Sequence, residues 1–182
     1  LFINNFLSIT PAVEQQMIEF MTYLRNLGVT TIFDAGNFGI DDETYAALSR
    51  LDQINPLPVR YHASYTLFLP QDYDTAIDQV KTLNRNYGSD RLRIDTLKIF
   101  HDGVIETRTA DMFDDYLDTP GNSGDSLFSE EQLHKLIIEL SREKIHLHIH
   151  SVGDKSTNKI LNAIERAHKT LGEPPAIRIA IC

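Results

Sequence analysis

The strongest constraint on the fold of this chain is a regular alternation of short apolar segments with longer amphipathic segments. The apolar segments have the length and composition of buried strands, and the amphipathic segments carry apolar residues at helical spacing. Such an alternation indicates βαβ units, in which right-handed crossovers join the strands of a parallel sheet. We therefore predict an α/β fold of parallel βα repeats, with strands near residues 30–34, 58–65, 94–100, 145–150 and 176–181.

Helix boundaries are marked by local signals. Thr10 and Pro11 form a cap followed by a proline at the first helical position, and Gly28 ends the helical pattern that follows. Ser129 and Gln132 have the spacing of a capping box at the start of another helix.

The number of strands limits the architecture. A complete (β/α)₈ barrel needs eight strands, and this pattern supplies about five. We therefore predict a single domain over residues 1–182 that is a piece of a longer protein, either part of a barrel or a curved open sheet. A sheet cut in this way leaves two unpaired edges. We expect self-association through them, above all through residues 176–181.

Composition narrows the range of partners. The net charge of −9 and a pI near 5.1 argue against nucleic acid or an anionic membrane as the main partner. No segment is long and apolar enough to predict a membrane span. The single cysteine, Cys182, excludes an internal disulfide framework and a zinc site built from several cysteines. One cysteine does not identify the cellular compartment of the protein, and we favour the cytoplasm.

The segment IHLHIHSVGD, residues 145–154, is the main candidate for chemistry. Side chains alternate along a strand, so His146, His148 and His150 should project from one face. Ligands of parallel α/β sheets gather at the carboxyl ends of the strands, which makes His150 the best candidate and His148 an intermediate one. Asp154 is expected to cap the following helix.

Lys98, in the segment LKIFHDG, is the second candidate. Burying its ammonium group is costly unless a partner compensates the charge. Spacing alone leaves two explanations open. Lys98 forms an ion pair with Asp102 or with a carboxylate on a neighbouring strand, or it is neutral and takes up CO₂ to become a carbamate that bridges two metals.

The connection over residues 101–128 is longer than a plain loop should be, and such segments are usually functional. Asp34, His62 and His101 also lie near strand ends, with weaker claims to a role. The sequence contains no P-loop, nucleophile elbow or dinucleotide-binding motif.

Several motifs together resemble a known family. LKIFHDGVIETRTADM and HIHSVGD, in this order, are similar to the third family of the amidohydrolase superfamily, in the branch that contains N-substituted formamide deformylase and exoenzyme regulatory proteins. Tyr116, Asp118 and Pro120 match a further stretch of that branch, and GVTTIFDAG matches its second barrel strand. The resemblance covers nearly all of the chain.

The resemblance implies a (β/α)₈ barrel of which this chain supplies strands two to six. It also implies that the whole protein hydrolyses an amide or related C–N bond of a small-molecule substrate. The reaction would use one or two divalent metals, and zinc is the metal we expect. Lys98 would be the carboxylated bridging lysine and His150 the metal-binding histidine of the fifth strand. The remaining candidates would contact the substrate or support the ligands: Asp102, Arg108, His148 and Asp154.

The departures from the family pattern leave two interpretations. The His-x-His pair of the first strand and the aspartate of the eighth would lie outside the chain, and Ile181 stands where the sixth strand normally has a metal histidine. The chain is then either the middle of a metal-dependent amidohydrolase or a degenerate binding or regulatory relative. We expect the chain alone to lack amidase activity and possess no bound metal, with Lys98 unmodified. We also expect Lys98 and His150 to converge on one cavity.

Overall fold

The computed structural model describes residues 8–37 and 39–182 of the chain. Strands and helices alternate along these residues after a leading helix, as the sequence pattern predicts. The elements in chain order are α1 Pro11–Asn26, β1 Thr31–Phe33, α2 Asp41–Ile54, β2 Arg60–Leu67, α3 Tyr73–Tyr87, β3 Leu92–Phe100, α4 Glu130–Glu143, β4 His146–His150, α5 Asp154–Leu171 and β5 Ile179–Ile181.

The described strands form one parallel sheet in the order β1-β2-β3-β4-β5. Thr31 of β1 pairs with Arg60 of β2, and Leu147 of β4 pairs with Ile179 of β5. The predicted α/β fold of parallel βα repeats is therefore confirmed. The last strand is shorter than the predicted 176–181, and it follows a segment containing Pro174 and Pro175, which have no N–H to donate to a ladder.

The predicted helix starts are confirmed. The Thr10 hydroxyl accepts a hydrogen bond from the Val13 N–H at 3.4 Å, at the start of α1. At the start of α4, the Ser129 hydroxyl accepts from the Gln132 N–H at 3.2 Å, while the Gln132 side chain accepts from the Ser129 N–H at 2.8 Å. Both halves of the capping box are thus formed. Within the described residues, no helix has the length and apolar content needed to cross a membrane.

The chain divides into two compact units. The first unit contains the residues up to Thr66 together with Asp78–Thr96. Its core is apolar and aromatic, with Tyr45 and Leu48 of α2 fully buried. The other buried members of this core are Met21, Leu57, Val59, Ala63, Leu83, Leu92 and Ile94.

The second unit contains Leu67–Ile77 and Leu97–Cys182. One face of α4 and one face of α5 are buried within it, through residues that recur at helical spacing. They are Leu133, Leu136, Ile137, Leu140, Ile160, Ala163 and Ala167. The long connection over residues 101–128 also belongs to this unit, and a 2.7 Å hydrogen bond from the Leu127 N–H to the His101 carbonyl joins its two ends.

Candidate functional site

A cluster of three polar side chains is formed by Lys98 near the carboxyl end of β3, His148 in the middle of β4 and Cys182 directly after β5. The Nε2 atom of His148 is 2.7 Å from the Sγ atom of Cys182, and the Nζ atom of Lys98 is 3.9 Å from the same sulfur. Lys98 and His148 are buried, with 5% and 6% of their surfaces exposed. The three residues therefore bring an imidazole, a thiol and an amine together in one place.

Burial controls the protonation of this cluster. Burial lowers the pKa of Lys98 from its usual value, and the neighbouring Cys182 thiol opposes that shift. Burial also lowers the pKa of His148, to about 4, and the positive charges of Lys98 and His150 act in the same direction. At neutral pH the imidazole of His148 is thus uncharged, which is the form that binds metals.

His150 and Lys98 lie against the same aromatic ring. The Lys98 Nζ atom is 5.0 Å from the centre of the Phe100 ring, and the His150 ring centre is 5.5 Å from it. The Nε2 atom of His150 is 3.1 Å from the Gly103 carbonyl oxygen. Because a carbonyl oxygen only accepts, Nε2 carries the proton, and the lone pair of the neutral ring is on Nδ1. A backbone partner of this kind is typical of histidines that bind metal through the other nitrogen.

Cys182 is a residue that the sequence argument did not place at the site. Ile181 pairs with the fully buried Ile149 in the ladder, and Ala180 pairs with His148. Alternation along the strand then puts Ile181 on the opposite face from His148 and puts Cys182 on the histidine face. Ile181, which the family resemblance aligns with the metal histidine of the sixth strand, therefore lies on the face opposite His148, whereas Cys182 lies on the histidine face.

Asp102 does not compensate the charge of Lys98. Its carboxylate accepts three backbone N–H hydrogen bonds, from Val152 at 3.0 Å, from Gly153 at 2.8 Å and from Asp111 at 3.1 Å. The suggested ion pair with Lys98 is thus replaced by a role in fixing the backbone. Asp102 joins the start of the long connection to the turn that follows β4.

Asp154 does not cap α5, contrary to expectation. Gly153 occupies the cap position, and a Cβ atom there would lie 2.1 Å from the Asp111 carbonyl oxygen, so only glycine fits. The Asp154 carboxylate instead accepts hydrogen bonds from the N–H groups of Phe113, at 3.0 Å, and Lys155, at 2.8 Å. It ties the long connection to the first turn of α5.

Arg108 is exposed and lies in the left-handed backbone region, with φ 56°. Its guanidinium donates to the Asp118 carboxylate through both Nε, at 3.0 Å, and Nη2. Arg108 also lines an open cleft of about 610 Å³, which we call the loop cleft. The other lining residues are Asp102, Gly103, Thr107, Thr109, Asn122, Gly124, Asp125 and Leu127.

A buried ion cluster, also missed by sequence reasoning, holds the middle of the long connection. The Asp111 carboxylate is fully buried and lies 3.0 Å from Lys155 Nζ and 2.6 Å from Lys159 Nζ, and it also accepts from the Ser126 hydroxyl. Burial raises the pKa of Asp111, but the hydrogen bonds from Lys159, Ser126 and Lys155 outweigh it and bring the pKa to about 2. The two lysines are four residues apart on α5, a spacing that puts them on one face.

His101 lies beside this ion cluster. Its side chain is fully buried against Phe128, and neither ring nitrogen has a hydrogen-bond partner within residues 8–37 and 39–182. Burial lowers its pKa to about 4, although the carboxylates of Asp102 and Asp111 favour the charged form. His101 is therefore a neutral, packed side chain.

The first unit has its own polar side chains near strand ends. The Asp34 carboxylate accepts hydrogen bonds from the Gly36 N–H, at 2.9 Å, and from the Tyr61 hydroxyl, at 3.1 Å. Burial raises the pKa of Asp41 to about 7, and the negative charge of Asp34 adds to that increase. His62 is 3.2 Å from the Asp95 carboxylate through Nδ1.

The described residues contain no group of three or more His, Cys, Asp or Glu side chains placed to hold a metal ion. What they offer is the imidazole of His148, the thiol of Cys182 and the Nδ1 atom of His150, with the Lys98 amine beside them. These donors are chemically suited to zinc, but only as part of a ligand set.

The fold and the site define a class of protein: a parallel βα sheet with buried ionisable side chains at the carboxyl ends of its strands. The sequence matches the model of the amidohydrolase family over residues 4–180, and the chain belongs to that family.

Individual relatives agree with this assignment. The chain is 28% identical over 151 residues to the exoenzymes regulatory protein AepA of Pectobacterium carotovorum subsp. carotovorum, covering 83% of this chain and 32% of that protein. It is 26% identical over 163 residues to the protein LONG AFTER FAR-RED 3 of Arabidopsis thaliana, covering 83% of this chain and 26% of that one. The chain thus spans about a third or less of the length of these relatives.

The fold is shared with a solved structure, an uncharacterized metal-dependent hydrolase from Pyrococcus furiosus. The TM-score is 0.67 at 24% sequence identity, with 92% of this chain and 34% of that chain covered. The similarity shows that the chain has the fold of one part of that larger protein.

Proposed function

We propose that this chain is the segment of a metal-dependent amidohydrolase that supplies part of the metal site, and that the whole protein hydrolyses an amide C–N bond of a small molecule. The observation that supports this most directly is the burial of Lys98 beside His148 and Cys182, with His150 on the same Phe100 ring. Membership of the amidohydrolase family and the likeness to a metal-dependent hydrolase point to the same chemistry.

The lowered pKa of Lys98 favours the neutral amine, and only the neutral amine can take up CO₂ to become a carbamate ligand. His150 offers Nδ1 for a metal while its Nε2 is held by the Gly103 carbonyl. A bound divalent metal, zinc by its preference for these donors, would supply an activated water and polarise the scissile carbonyl. In this proposal the ligands beyond these residues come from the rest of the parent protein.

The remaining predicted residues have supporting roles in this proposal. Asp102 and Asp154 fix the long connection against the turn after β4, which holds the Gly103 carbonyl and so the orientation of His150. Arg108, which lines the loop cleft, would contact the substrate. His148 lies next to the ligands through its contact with Cys182.

The parent protein, produced with and without Lys98→Ala and His150→Ala, provides the test. Zinc content by mass spectrometry and turnover of N-formyl and cyclic amides should both fall at least about tenfold in each variant, because each removes one of few protein ligands. His168→Ala, an exposed position on α5, is the matched control and should keep both. Equal zinc and turnover in all four proteins would refute the assignment of Lys98 and His150.

A second candidate function is a non-catalytic regulatory or binding relative of the amidohydrolases. The lack of a three-donor group in residues 8–37 and 39–182 favours it, as does the similarity to a protein named as an exoenzymes regulatory protein. A parent protein that binds no zinc and turns over no amide, while remaining folded, would support this candidate over the first.

We also propose that the 182-residue chain alone is inactive and self-associates. β1 and β5 stand at the two ends of the strand order, and an unpaired strand edge is a template for another chain. Light scattering across a concentration series should show mass above 20.7 kDa, and a monomer at every concentration would contradict the proposal.

A further inference from the structure

A second candidate binding site lies in the first unit, where β1, β2 and β3 begin. An open cleft of about 560 Å³ at this edge is lined by three arginines, Arg25, Arg60 and Arg91, and by one carboxylate, Asp90. We call it the arginine cleft. Its other lining residues are Gly28, Val29, Thr30 and Pro58.

Two of the three guanidinium groups are held in place by neutral acceptors. Arg91 Nη1 donates to the Leu57 carbonyl oxygen at 2.9 Å, and Arg60 Nε donates to the Thr31 hydroxyl at 3.2 Å. A guanidinium has five N–H donors, so each group keeps most of its donors for another partner. Their orientation is thus partly fixed before any ligand arrives, which reduces the entropy lost on binding.

The charge of the arginine cleft is opposite to that of the chain. The chain has a formal net charge of −9, whereas the cleft brings three positive side chains together with one negative. Arg25, Arg60 and Arg91 form no ion pair with a carboxylate among the described residues. Arg108, by contrast, is engaged by Asp118. A concentration of unneutralised guanidinium groups in an acidic protein attracts a multivalent anion.

We propose that the arginine cleft binds a phosphoryl-bearing small molecule. Guanidinium groups match the geometry of phosphate oxygens through paired N–H donors, and three of them can contact more than one phosphoryl group. The cleft has the volume of a small-molecule site. It lies at the strand starts, whereas the candidate metal ligands lie at strand ends, so the ligand is an effector or a stabilising anion and takes no part in hydrolysis.

Calorimetric titration of the 182-residue chain with inorganic pyrophosphate, at constant ionic strength, tests the proposal. We expect one saturable site per chain. Arg25→Gln and Arg60→Gln should each weaken binding at least about tenfold, because each removes charge-assisted hydrogen bonds. Arg25 makes no side-chain hydrogen bond among the described residues, so its substitution leaves the fold intact and keeps the test valid if Arg60→Gln is unstable.

Three controls separate this site from other sources of affinity. Arg85→Gln removes the same charge from α3 in the same unit, outside the cleft, and should bind pyrophosphate like the unchanged chain. Lys98→Ala should also leave binding unchanged, which separates the arginine cleft from the proposed metal site. Succinate in place of pyrophosphate should bind at least about tenfold more weakly, since carboxylates carry less charge per group. Unsaturable binding, or an equal loss in Arg85→Gln, would overturn the proposal.

Discussion

The two units of the molecule differ in what they bury. Among the described residues, the first unit buries one side chain of the Asp, Glu, Lys, Arg and His types, Asp41, around a core of aliphatic and aromatic groups. The second unit buries five: Lys98, His101, Asp102, Asp111 and His148. Burying ionisable groups is costly, and proteins concentrate such groups where their chemistry is used. The second unit therefore contains the buried ionisable side chains that the proposed metal site would use.

The buried groups of the second unit also differ among themselves. Asp102 accepts hydrogen bonds from backbone N–H groups and Asp111 is paired with lysines, whereas Lys98 lies 3.9 Å from the Cys182 sulfur and 5.0 Å from the centre of the Phe100 ring. The two carboxylates therefore stabilise the fold around the long connection.

The largest expected effect is on Asp102, and it tests whether the second unit depends on its buried charges. Asp102→Ala leaves three backbone N–H groups without their acceptor and should lower the free energy of unfolding by more than about 3 kcal/mol. Asp102→Asn keeps one acceptor oxygen and should lower it less. Urea unfolding measures both. Asp125→Ala, an exposed position in the same connection, should leave the midpoint unchanged, and a similar loss there would contradict the role given to Asp102.

The next largest effect is the loss of stability of the second unit in acid, which protonation of His101 contributes to. The pKa of His101 is about 4 in the folded chain against 6.5 ordinarily. Protonation therefore favours the unfolded chain, so this contribution to stability is full above pH 6.5 and is lost as the pH falls towards 4. The free energy of unfolding falls between neutral and mildly acidic pH, and His101→Leu should make that fall smaller by roughly 2 kcal/mol. His168→Leu, at an exposed position, is the control, and an unchanged pH dependence in His101→Leu would count against the burial argument.

The first unit should respond to pH in the opposite direction through Asp41. Its pKa rises from 3.8 to about 7 on folding, so the stability it contributes is full below pH 3.8 and is lost as the pH rises through 7. Asp41→Asn should make the chain more stable than the unchanged protein above neutral pH, by roughly 1 kcal/mol after the lost helix-terminus charge is counted. Glu43→Gln changes the same charge in the same turn at an exposed position and should show no gain. If the free energy of unfolding had the same pH dependence in both variants, the opposite pH responses proposed for the two units would be contradicted.

The smallest effect is expected at the exposed Arg108–Asp118 pair. Asp118→Ala removes an ion pair between two exposed side chains, which water and salt already screen, so the urea midpoint should not change measurably. The backbone of Arg108 remains in the left-handed region in either case. A clear loss of stability would mean that the second unit depends on its surface charges as well as on its buried ones.

Local signals explain how much could be predicted from the sequence. The Thr10 cap, the Gly28 stop and the Ser129 capping box depend on residues close in the chain, and the helix boundaries they mark are found as predicted. The fold class followed from the same local periodicity. The weaker predictions needed the register of one strand against another, which periodicity does not give. Ile181 was aligned with the metal histidine through the family motif, and only the register of β5 against β4 shows that its side chain lies on the face opposite His148.

The same limit applies to the supporting residues of the site. Asp102 looked like a partner for Lys98 because the two are close in sequence, but its partners Val152 and Gly153 are fifty positions away. The pairing of Asp111 with Lys155 and Lys159 has no sequence signal beyond the helical spacing of the lysines. Polar contacts between distant segments require the fold before they can be named.

The hydrogen bond that joins Leu127 to His101 closes the long connection into a loop whose two ends meet. A segment with adjoining ends can be replaced by one of another length without separating β3 from α4, because the span to be bridged stays fixed. The connection can in this sense be replaced as a unit. A connection of another length fits the same βα framework, provided that it brings its own carboxylates for Gly153, Lys155 and Lys159.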